Sequence, residues 1–398
     1  MTEMAKIAPE FAAFPLLDCF PLCHNPAELL RYPVIMKKPA PHPYAALPPH
    51  AFWRTGVAEA GVYGLQGLWS SPWDLPADAR FATFGSCFAQ HISRALKERR
   101  MGWIDGEPAP AACPPELARQ FNYGVFSART ANIYTAAQLH LLMQMVAGQV
   151  PLDGPEIWAD PDGRFRDSLR PAIEPDGFAS RAEALLSRQA MLRGLRRAVT
   201  GADVFVFTLG LTEGWESESG QPYAACPGTM GGQFDADRHH FVNYRSTAIR
   251  NALDQTLALM RGLNPALHLL LTVSPVPLTA TASGGHVLVA TTRSKSVLRA
   301  VGGEMAEGFV EVDFFPGYEM IRGGPTRLAF FEPNLRSVVR QGVDTVMGHF
   351  FAGLRLGAPA RHGAEAEADA ARDRAMQDAM ADEALVCEEA ALEAYNAS

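Results

Sequence analysis

The stretch FATFGSCFAQHISRALKERR, residues 81–100, joins an apolar run to an amphipathic helix through a few small residues. FATFG has the length and composition of a buried strand. Phe88, Ile92 and Leu96 then recur at helical spacing. Ser86 lies at this strand-to-helix turn, where its hydroxyl would stand at the carboxyl edge of a sheet and near the unpaired N–H groups of a helix start. The turn therefore favours either a nucleophilic serine or a serine that only caps the helix.

Three later apolar runs match FATFG in length and end in turn-forming or polar residues. They are VFVFTLG (204–210), HLLLTVS (268–274) and FVEVDFF (309–315). Helical patterns accompany them at 87–101, 131–147, 179–200, 244–263, 292–307 and 334–354. Strands that alternate with helices indicate an α/β domain in which a parallel sheet is covered on both faces. In such sheets ligands bind beyond the carboxyl ends of the strands, so we expect the site at that edge.

The chain divides into three parts by composition. Residues 1–77 are rich in proline and aromatic residues and predict an irregular arm packed on the main domain. Residues 78–355 carry the α/β pattern, and their Pro-, Gly- and Asp-rich insertion at 149–178 predicts a short hairpin around DPDGRF. Residues 356–398 form an acidic tail, rich in alanine and glutamate, for which a solvated helix is favoured over a helix that binds a protein partner.

The charge of the chain is concentrated in the tail. Residues 362–398 contain ten acidic residues against two arginines, which accounts for the whole formal net charge of −8. The remainder has no basic stripe, which argues against a nucleic-acid partner. The N-terminus lacks the pattern of a signal peptide, and no apolar run is long enough to span a bilayer. We therefore expect a cytoplasmic protein that binds neither nucleic acid nor a membrane.

The six cysteines have neither the spacing of a disulfide framework nor that of a zinc site, so reduced thiols are expected. Cys19, Cys23 and His24 could hold a metal, but without a second ligand pair they are better interpreted as loop residues. We accordingly expect no metal and no cofactor. Cys87 should pack beneath the sheet, and a thiol nucleophile in place of Ser86 is the alternative.

Six separated motifs, in order, resemble those of the GSCFA family: FGSCFA, FNYGVFSARTANIY, DVFVFTLGLTEGW, LLTVSPVPL, SKSVLRA and VDFFPGYEMI. The resemblance covers roughly 78–355 and extends to the SGNH, or GDSL-like, hydrolases. It implies a flavodoxin-like three-layer sandwich with a central parallel sheet and serine acyl chemistry. Ser86 would be the nucleophile and would form the oxyanion hole with Gly124 and Gly210. Where SGNH enzymes place an asparagine two residues after the last glycine, this chain has Thr212, whose hydroxyl could also donate.

The resemblance also implies a general base that this sequence does not supply. Related sequences carry Asp-x-x-His-Pro late in the domain, and AFFEPN places Ala329 and Glu332 at those positions. A serine hydroxyl needs a base to take its proton. Two functions therefore stay open: a serine esterase or O-acyltransferase whose base comes from elsewhere, and a ligand-binding protein that kept the fold but lost the base.

His286 is the favoured replacement base, because it follows the LLLTVS strand and two adjacent glycines would let it reach inward. His239 and His240 of RHHF are the alternative. Asp313, at the end of the VEVD run, is the expected orienting carboxylate of the triad, with Glu213 as the alternative.

The expected substrate is a small polar molecule or a glycan that carries or accepts an acyl group. Glu213 and Trp215 would offer it a carboxylate and an aromatic platform for a sugar ring. His240, Asn243 and Arg245 would add polar contacts. An arginine pair for Glu213 and a helix cap for Asn243 are the structural alternatives.

Overall fold

The computed structural model describes residues 42–357 and 390–393. The chain forms two compact units, Met1–Phe52 and Trp53–Ser398. Residues 53–77, which composition groups with the N-terminal arm, therefore belong to the second unit.

The described part of the first unit consists of two 3₁₀ turns, Pro43–Ala46 and Pro49–Ala51. The Cys19, Cys23 and His24 cluster lies outside the described residues, as does most of the acidic tail.

The described residues of the second unit form ten strands: β1 (Arg80–Gly85), β2 (Gly102–Trp103), β3 (Ile157–Ala159), β4 (Phe165–Asp167), β5 (Val204–Leu209), β6 (Glu213–Ser217), β7 (Pro222–Tyr223), β8 (His239–Asn243), β9 (His268–Val273) and β10 (Val312–Phe314). Five of them form a parallel sheet in the order β10-β9-β5-β1-β2. Numbered along the chain, these five read 2-1-3-4-5, so the winding reverses between β1 and β5. Doubly wound sheets bind their ligands at such a reversal.

The helices are α1 (Gly61–Gly64), α2 (Ala89–Glu98), α3 (Pro115–Gln120), α4 (Ala136–Val146), α5 (Arg181–Gly201), α6 (Ser246–Leu263), α7 (Val287–Gly308), α8 (Gly317–Arg322) and α9 (Arg340–Gly353), with a π-helical turn at Arg54–Ala58, a 3₁₀ turn at Gly324–Thr326 and a short helix at Ala390–Glu393. None of the helices in the described part of the chain has the length and apolar content that crossing a bilayer requires.

Alternate residues of the central strands are buried on opposite faces of the sheet. Phe205 and Phe207 of β5 pack in the core that includes α4, α5, α6 and α7. Val204 and Val206 pack in a second core with α2, α8 and α9. Because both faces are covered, the strands are continuous apolar runs. The expectation of an α/β domain with a central parallel sheet is confirmed.

Two smaller antiparallel sheets lie outside the central one. β3 pairs with β4, which is the hairpin expected around DPDGRF, with Ile157 opposite Asp167. β6 lies between β7 and β8 in a three-stranded sheet inserted between β5 and α6. Three residues, 210–212, separate the end of β5 from the start of β6 in this second sheet.

Candidate functional site

The Ser86 turn lies where the sheet reverses its winding. Gly85, the last residue of β1, has a φ of 132°, a region that favours glycine. A Cβ at this position would lie 2.4 Å from the carbonyl oxygen of Thr208 in β5, so only glycine permits the approach. The N–H of Ser86 donates to that same oxygen over 3.1 Å. The backbone of β5 thus fixes Ser86 at the carboxyl edge of the sheet.

The hydroxyl of Ser86 does not cap the helix that follows it. The N-cap of α2 is Phe88, and no side chain caps this helix. Ser86 is 2% exposed, and its Oγ has no hydrogen-bond partner. Burying a hydroxyl without a partner costs about 1–3 kcal/mol. The capping interpretation is therefore wrong, and the hydroxyl is left without a structural role.

Gly210 follows β5 and packs directly against Ser86. A Cβ on Gly210 would lie 3.0 Å from the Cβ of Ser86 and 2.9 Å from the carbonyl oxygen of Tyr134. The N–H groups of Gly210 and Leu211 both donate to that Tyr134 oxygen, over 3.1 and 2.9 Å. The structure therefore brings Gly210 to Ser86, but the amide hydrogen expected to hold an oxyanion is already donated to Tyr134.

Gly124 lies elsewhere. Its carbonyl oxygen accepts a 2.7 Å bond from Nζ of Lys97, in the last turn of α2, whereas Ser86 precedes the first turn. The segment that meets the Ser86 turn comes later in the same motif: the N–H of Ile133 donates to the carbonyl of Gly85 over 2.8 Å.

Asn132 and Gln90 join this segment to the start of α2. Both side chains are 2% exposed, and Gln90 Nε2 donates to Asn132 Oδ1 over 3.2 Å. Neither residue was predicted from the sequence, although Asn132 belongs to the FNYGVFSARTANIY motif and Gln90 directly follows FGSCFA.

Lys295 is a second residue that sequence analysis missed. It lies on α7 within the SKSVLRA motif and is 1% exposed. Its Nζ donates to the carbonyl oxygen of Gly210 over 2.7 Å. A buried amine thus bonds to Gly210, the residue that packs against Ser86. In the sequence, only the SKSVLRA motif pointed to Lys295.

Thr212, Glu213 and Asn243 form one hydrogen-bonded group beyond Gly210. Glu213 and Asn243 are directly opposite in the β6–β8 pairing. Thr212 Oγ1 donates to Asn243 Oδ1 over 2.8 Å, and Asn243 Nδ2 lies 3.4 Å from Glu213 Oε1. The hydroxyl of Thr212 is therefore committed to Asn243. Asn243 itself caps no helix, since the N-cap of α6 is Arg245.

The histidines considered as bases lie away from Ser86. His286 is exposed at the N-cap of α7, and its Nδ1 accepts the N–H of Leu288 over 3.1 Å. Nine residues, about 13 Å of helix, separate it from Lys295. His239 and His240 lie at the end of β8 opposite Ser217 and Glu216, away from the Glu213 end of β6.

The carboxylates considered for a triad are also apart from Ser86. Asp313 lies on the edge strand β10, three strands from β1, or roughly 14 Å at the usual strand spacing. Its Oδ2 accepts a 2.8 Å bond from Trp69 Nε1, and burial raises the pKa of this carboxyl group. Ala329 and Glu332 are both exposed. In the described part of the chain, no histidine or carboxylate bonds to Ser86 Oγ.

A cavity of about 240 Å³ lies next to residues that contact Gly210, although neither Ser86 nor Gly210 is among its lining residues. Tyr134 and Leu211 form part of its wall, and both are joined to Gly210 by the bonds described above. Glu213 and Trp215 lie on the wall as well, whereas His240 and Arg245 are exposed residues outside it. Further lining comes from Thr135, Gln138, Gly214, Tyr223, Ala224, Ala225, Cys226, Thr229, Phe241, Leu278, Ala280, Thr281, Ala282 and Leu392.

The thiols near the site are free. Cys87, Cys113 and Cys226 form no disulfide, as expected, and Cys87 is 4% exposed. Burial raises the pKa of the Cys226 thiol to about 11, so this cavity residue is protonated at neutral pH and is a poor nucleophile. Within residues 42–357 and 390–393, no three His, Cys, Asp or Glu side chains cluster closely enough to hold a metal ion.

Comparison with known proteins agrees with the motifs. The model of the GSCFA family matches residues 80–350, which include every element of the central sheet and the whole Ser86 turn. No curated protein matches the chain closely enough to count as a relative.

Proposed function

Because the chain belongs to the GSCFA family, we propose that it is a serine esterase or O-acyltransferase of the SGNH type that forms an acyl-enzyme on Ser86. The observation that carries this proposal is the Ser86 hydroxyl, which is buried at the reversal point of the sheet and has no hydrogen-bond partner. A nucleophile that bonds only when substrate and base are in place accounts for this unsatisfied group. The 2-1-3-4-5 strand order supports the flavodoxin-like, SGNH-type assignment.

In the proposed reaction, Ser86 Oγ attacks the carbonyl carbon of an ester while its proton passes to a base. The carbon–oxygen bond to the alcohol breaks, and the alcohol leaves with that proton. Water or the hydroxyl of an acceptor then attacks the acyl-enzyme, which regenerates Ser86 and gives hydrolysis or transfer, respectively. A glycan or another acylated polar molecule fits either outcome.

We assign the base to Lys295. Burial of an amine favours its neutral form, which can accept a proton, and serine–lysine pairs are an established variant of the catalytic triad. Lys295 Nζ bonds to Gly210, the residue packed on Ser86, whereas His286 caps a distant helix start. This assignment replaces the base expected from the sequence.

A fluorophosphonate probe tests the nucleophile. We expect one covalent adduct, located at Ser86 by peptide mass spectrometry, and none in the Ser86→Ala variant. Ser93→Ala is the matched control, because Ser93 is equally buried but bonds to Thr83 Oγ1 over 2.7 Å. An adduct on another residue, or none on the folded wild type, would refute the proposal.

The rate of probe labelling in variants tests the base. Lys295→Arg keeps N–H donors that can bond to Gly210, but its guanidinium group is always charged and cannot accept a proton near neutral pH. We expect it to slow labelling at least about a thousandfold, and His286→Ala to change the rate less than threefold. The reverse pattern would return the base to His286.

A second function, ligand binding without turnover, is favoured by one observation. Three of the four groups expected to hold an oxyanion already donate elsewhere: Ser86 N–H to Thr208, Gly210 N–H to Tyr134 and Thr212 Oγ1 to Asn243. If the folded protein forms no adduct but binds a small ligand in the cavity, this second function is the correct one.

A further inference from the structure

Glu213 contributes a carboxylate to the cavity wall. The residue is 8% exposed, and none of the described residues forms an ion pair with it. Its Oε1 and Oε2 lie 2.9 and 2.8 Å from Thr281 Oγ1, and Asn243 is its other donor. Arg293 bonds to Asn243 Oδ1 instead of Glu213. The side chains that bond directly to the Glu213 carboxyl group are therefore neutral donors.

The rest of the wall suits a cation that also has apolar groups. Tyr134, Trp215, Tyr223 and Phe241 line the cavity, and the rings of Trp215 and Phe241 meet edge to face with centroids 5.7 Å apart. The faces of aromatic rings attract cations, most strongly when water is excluded. Aromatic rings and a carboxylate around one cavity are the combination that binds quaternary and substituted ammonium groups.

Other ligand classes fit this cavity less well. An anion would meet no lysine, arginine or histidine among the lining residues. Calcium or magnesium would need about six oxygen ligands, and the lining offers one carboxylate. The volume of about 240 Å³ corresponds to roughly eight water molecules. It therefore admits a small organic group and excludes a folded peptide.

We propose that this cavity binds an organic ammonium group through Glu213 and the surrounding aromatic rings. The cavity residue Tyr134 accepts the N–H of Gly210, which packs against Ser86. The inference therefore deepens the proposed function, on which it rests for turnover. The substrate of Ser86 would be an ester, or an acyl acceptor, that carries an ammonium group a short distance from the reacting oxygen. Binding itself requires no reaction.

Calorimetric titration of the full chain with two probes tests the site. Choline carries a trimethylammonium group, and 3,3-dimethylbutan-1-ol is its uncharged isostere of nearly the same shape. We expect choline to bind at least tenfold more tightly than the isostere. Equal affinities, or no detectable binding of choline, would overturn the proposal. This comparison needs no variant, so it does not depend on whether a substituted protein folds.

Two variants then identify the group that recognises the charge. Glu213→Gln should remove the tenfold preference for choline. Glu216→Gln is the matched control on the same strand, because Glu216 bonds to the hydroxyl of Tyr244 over 2.7 Å and is not a lining residue; it should keep the preference. A preference that survives Glu213→Gln would contradict the assignment.

Failure of the ammonium site and failure of the proposed function give different results. Ser86→Ala, which removes the nucleophile, should leave the affinity for choline within twofold of the wild type. Fluorophosphonate labelling of Ser86 without choline binding would leave the acyl chemistry standing and refute the ammonium site. Choline binding without fluorophosphonate labelling would support the ammonium site and refute the acyl chemistry on Ser86.

Discussion

Gly85 and Ser86 are positioned by contacts of the main chain. The carbonyl oxygen of Thr208 accepts the N–H of Ser86 and occupies the space in which a side chain on Gly85 would lie. A methyl group added at Gly85 would therefore push β1 and β5 apart and displace Ser86.

Gly85→Ala is expected to destabilise the fold by more than about 3 kcal/mol, because it combines a positive φ with a 2.4 Å approach to a backbone oxygen. Urea unfolding followed by circular dichroism measures this loss. Gly262→Ala is the control, since nothing lies within 4 Å of its added methyl group in α6; it should change stability by less than about 1 kcal/mol. Similar values for both variants would contradict the close-approach argument.

For single residues, the sequence predicted which ones lie close together better than it predicted what each side chain contacts. Ser86 and Gly210 were expected together because both follow apolar runs, and they are in contact. Lys295 could not be found from spacing, because it reaches Gly210 from the middle of a helix 85 residues later. His286 was expected to reach inward because glycines precede it, yet its ring accepts the N–H of Leu288.

Elements that are buried on both faces were the most predictable. β1, β5 and β9 match their apolar runs to within a residue because a covered parallel strand has no polar face to break the pattern. β2 was missed because it has only two residues, and β6 to β8 because their exposed sides mix polar and aromatic residues. α7 begins at Val287 and not near 292, since His286 supplies a cap that periodicity does not reveal.

The β3–β4 hairpin is anchored by one buried carboxylate. Asp167, Arg170 and Arg188 are fully buried, with Asp167 Oδ2 2.9 Å from Arg170 Nε and Oδ1 2.5 Å from Arg188 Nη2. Burial alone would raise the pKa of Asp167, but the two guanidinium groups hold it below its usual value. The charge of Asp167 thus joins the hairpin to α5.

Asp167→Asn should destabilise the protein by roughly 3–5 kcal/mol, because it leaves two buried guanidinium groups without a counter-charge. Glu156 forms a more exposed ion pair with Arg238, so Glu156→Gln should lower the free energy of unfolding by no more than about 1 kcal/mol. Urea midpoints of the two variants compare them directly. A loss below 1 kcal/mol for Asp167→Asn would mean that the hairpin is anchored by other contacts.

At the scale of the whole molecule, the alternation of strands and helices predicted a covered parallel sheet but not the order of its strands. The order of the strands depends on which face of the sheet each connecting helix crosses. The apolar runs of β5 and β9 are alike and do not indicate which of the two lies next to β1. The reversal between β1 and β5, which locates the site, therefore emerges only from the assembled sheet.

Acid should destabilise the whole fold through its histidines. Burial is the main cause that lowers the folded-state pKa of five of them, His91 (to about 3), His140, His239, His268 and His349. The unfolded chain then binds protons first, so stability is present above about pH 6.5 and is lost as pH falls below it.

The free energy of unfolding, measured in urea at several pH values, should fall between pH 7 and pH 4. His91→Gln should make that fall less steep, by at most about 1.4 kcal/mol per pH unit. A stability that is flat over this range would contradict the burial of these imidazoles.

The three-stranded sheet β7-β6-β8 forms much of the cavity wall, yet it is a self-contained excursion between β5 and α6. Both of its ends return to the same edge of the central sheet, since the N–H of Tyr244 donates to the carbonyl of Thr212 over 2.7 Å. A different insertion could replace this three-stranded sheet during evolution without a change in the Ser86 turn. Under the proposed function, many of the residues that would select the ligand are thus separate along the chain from the residue that would react with it.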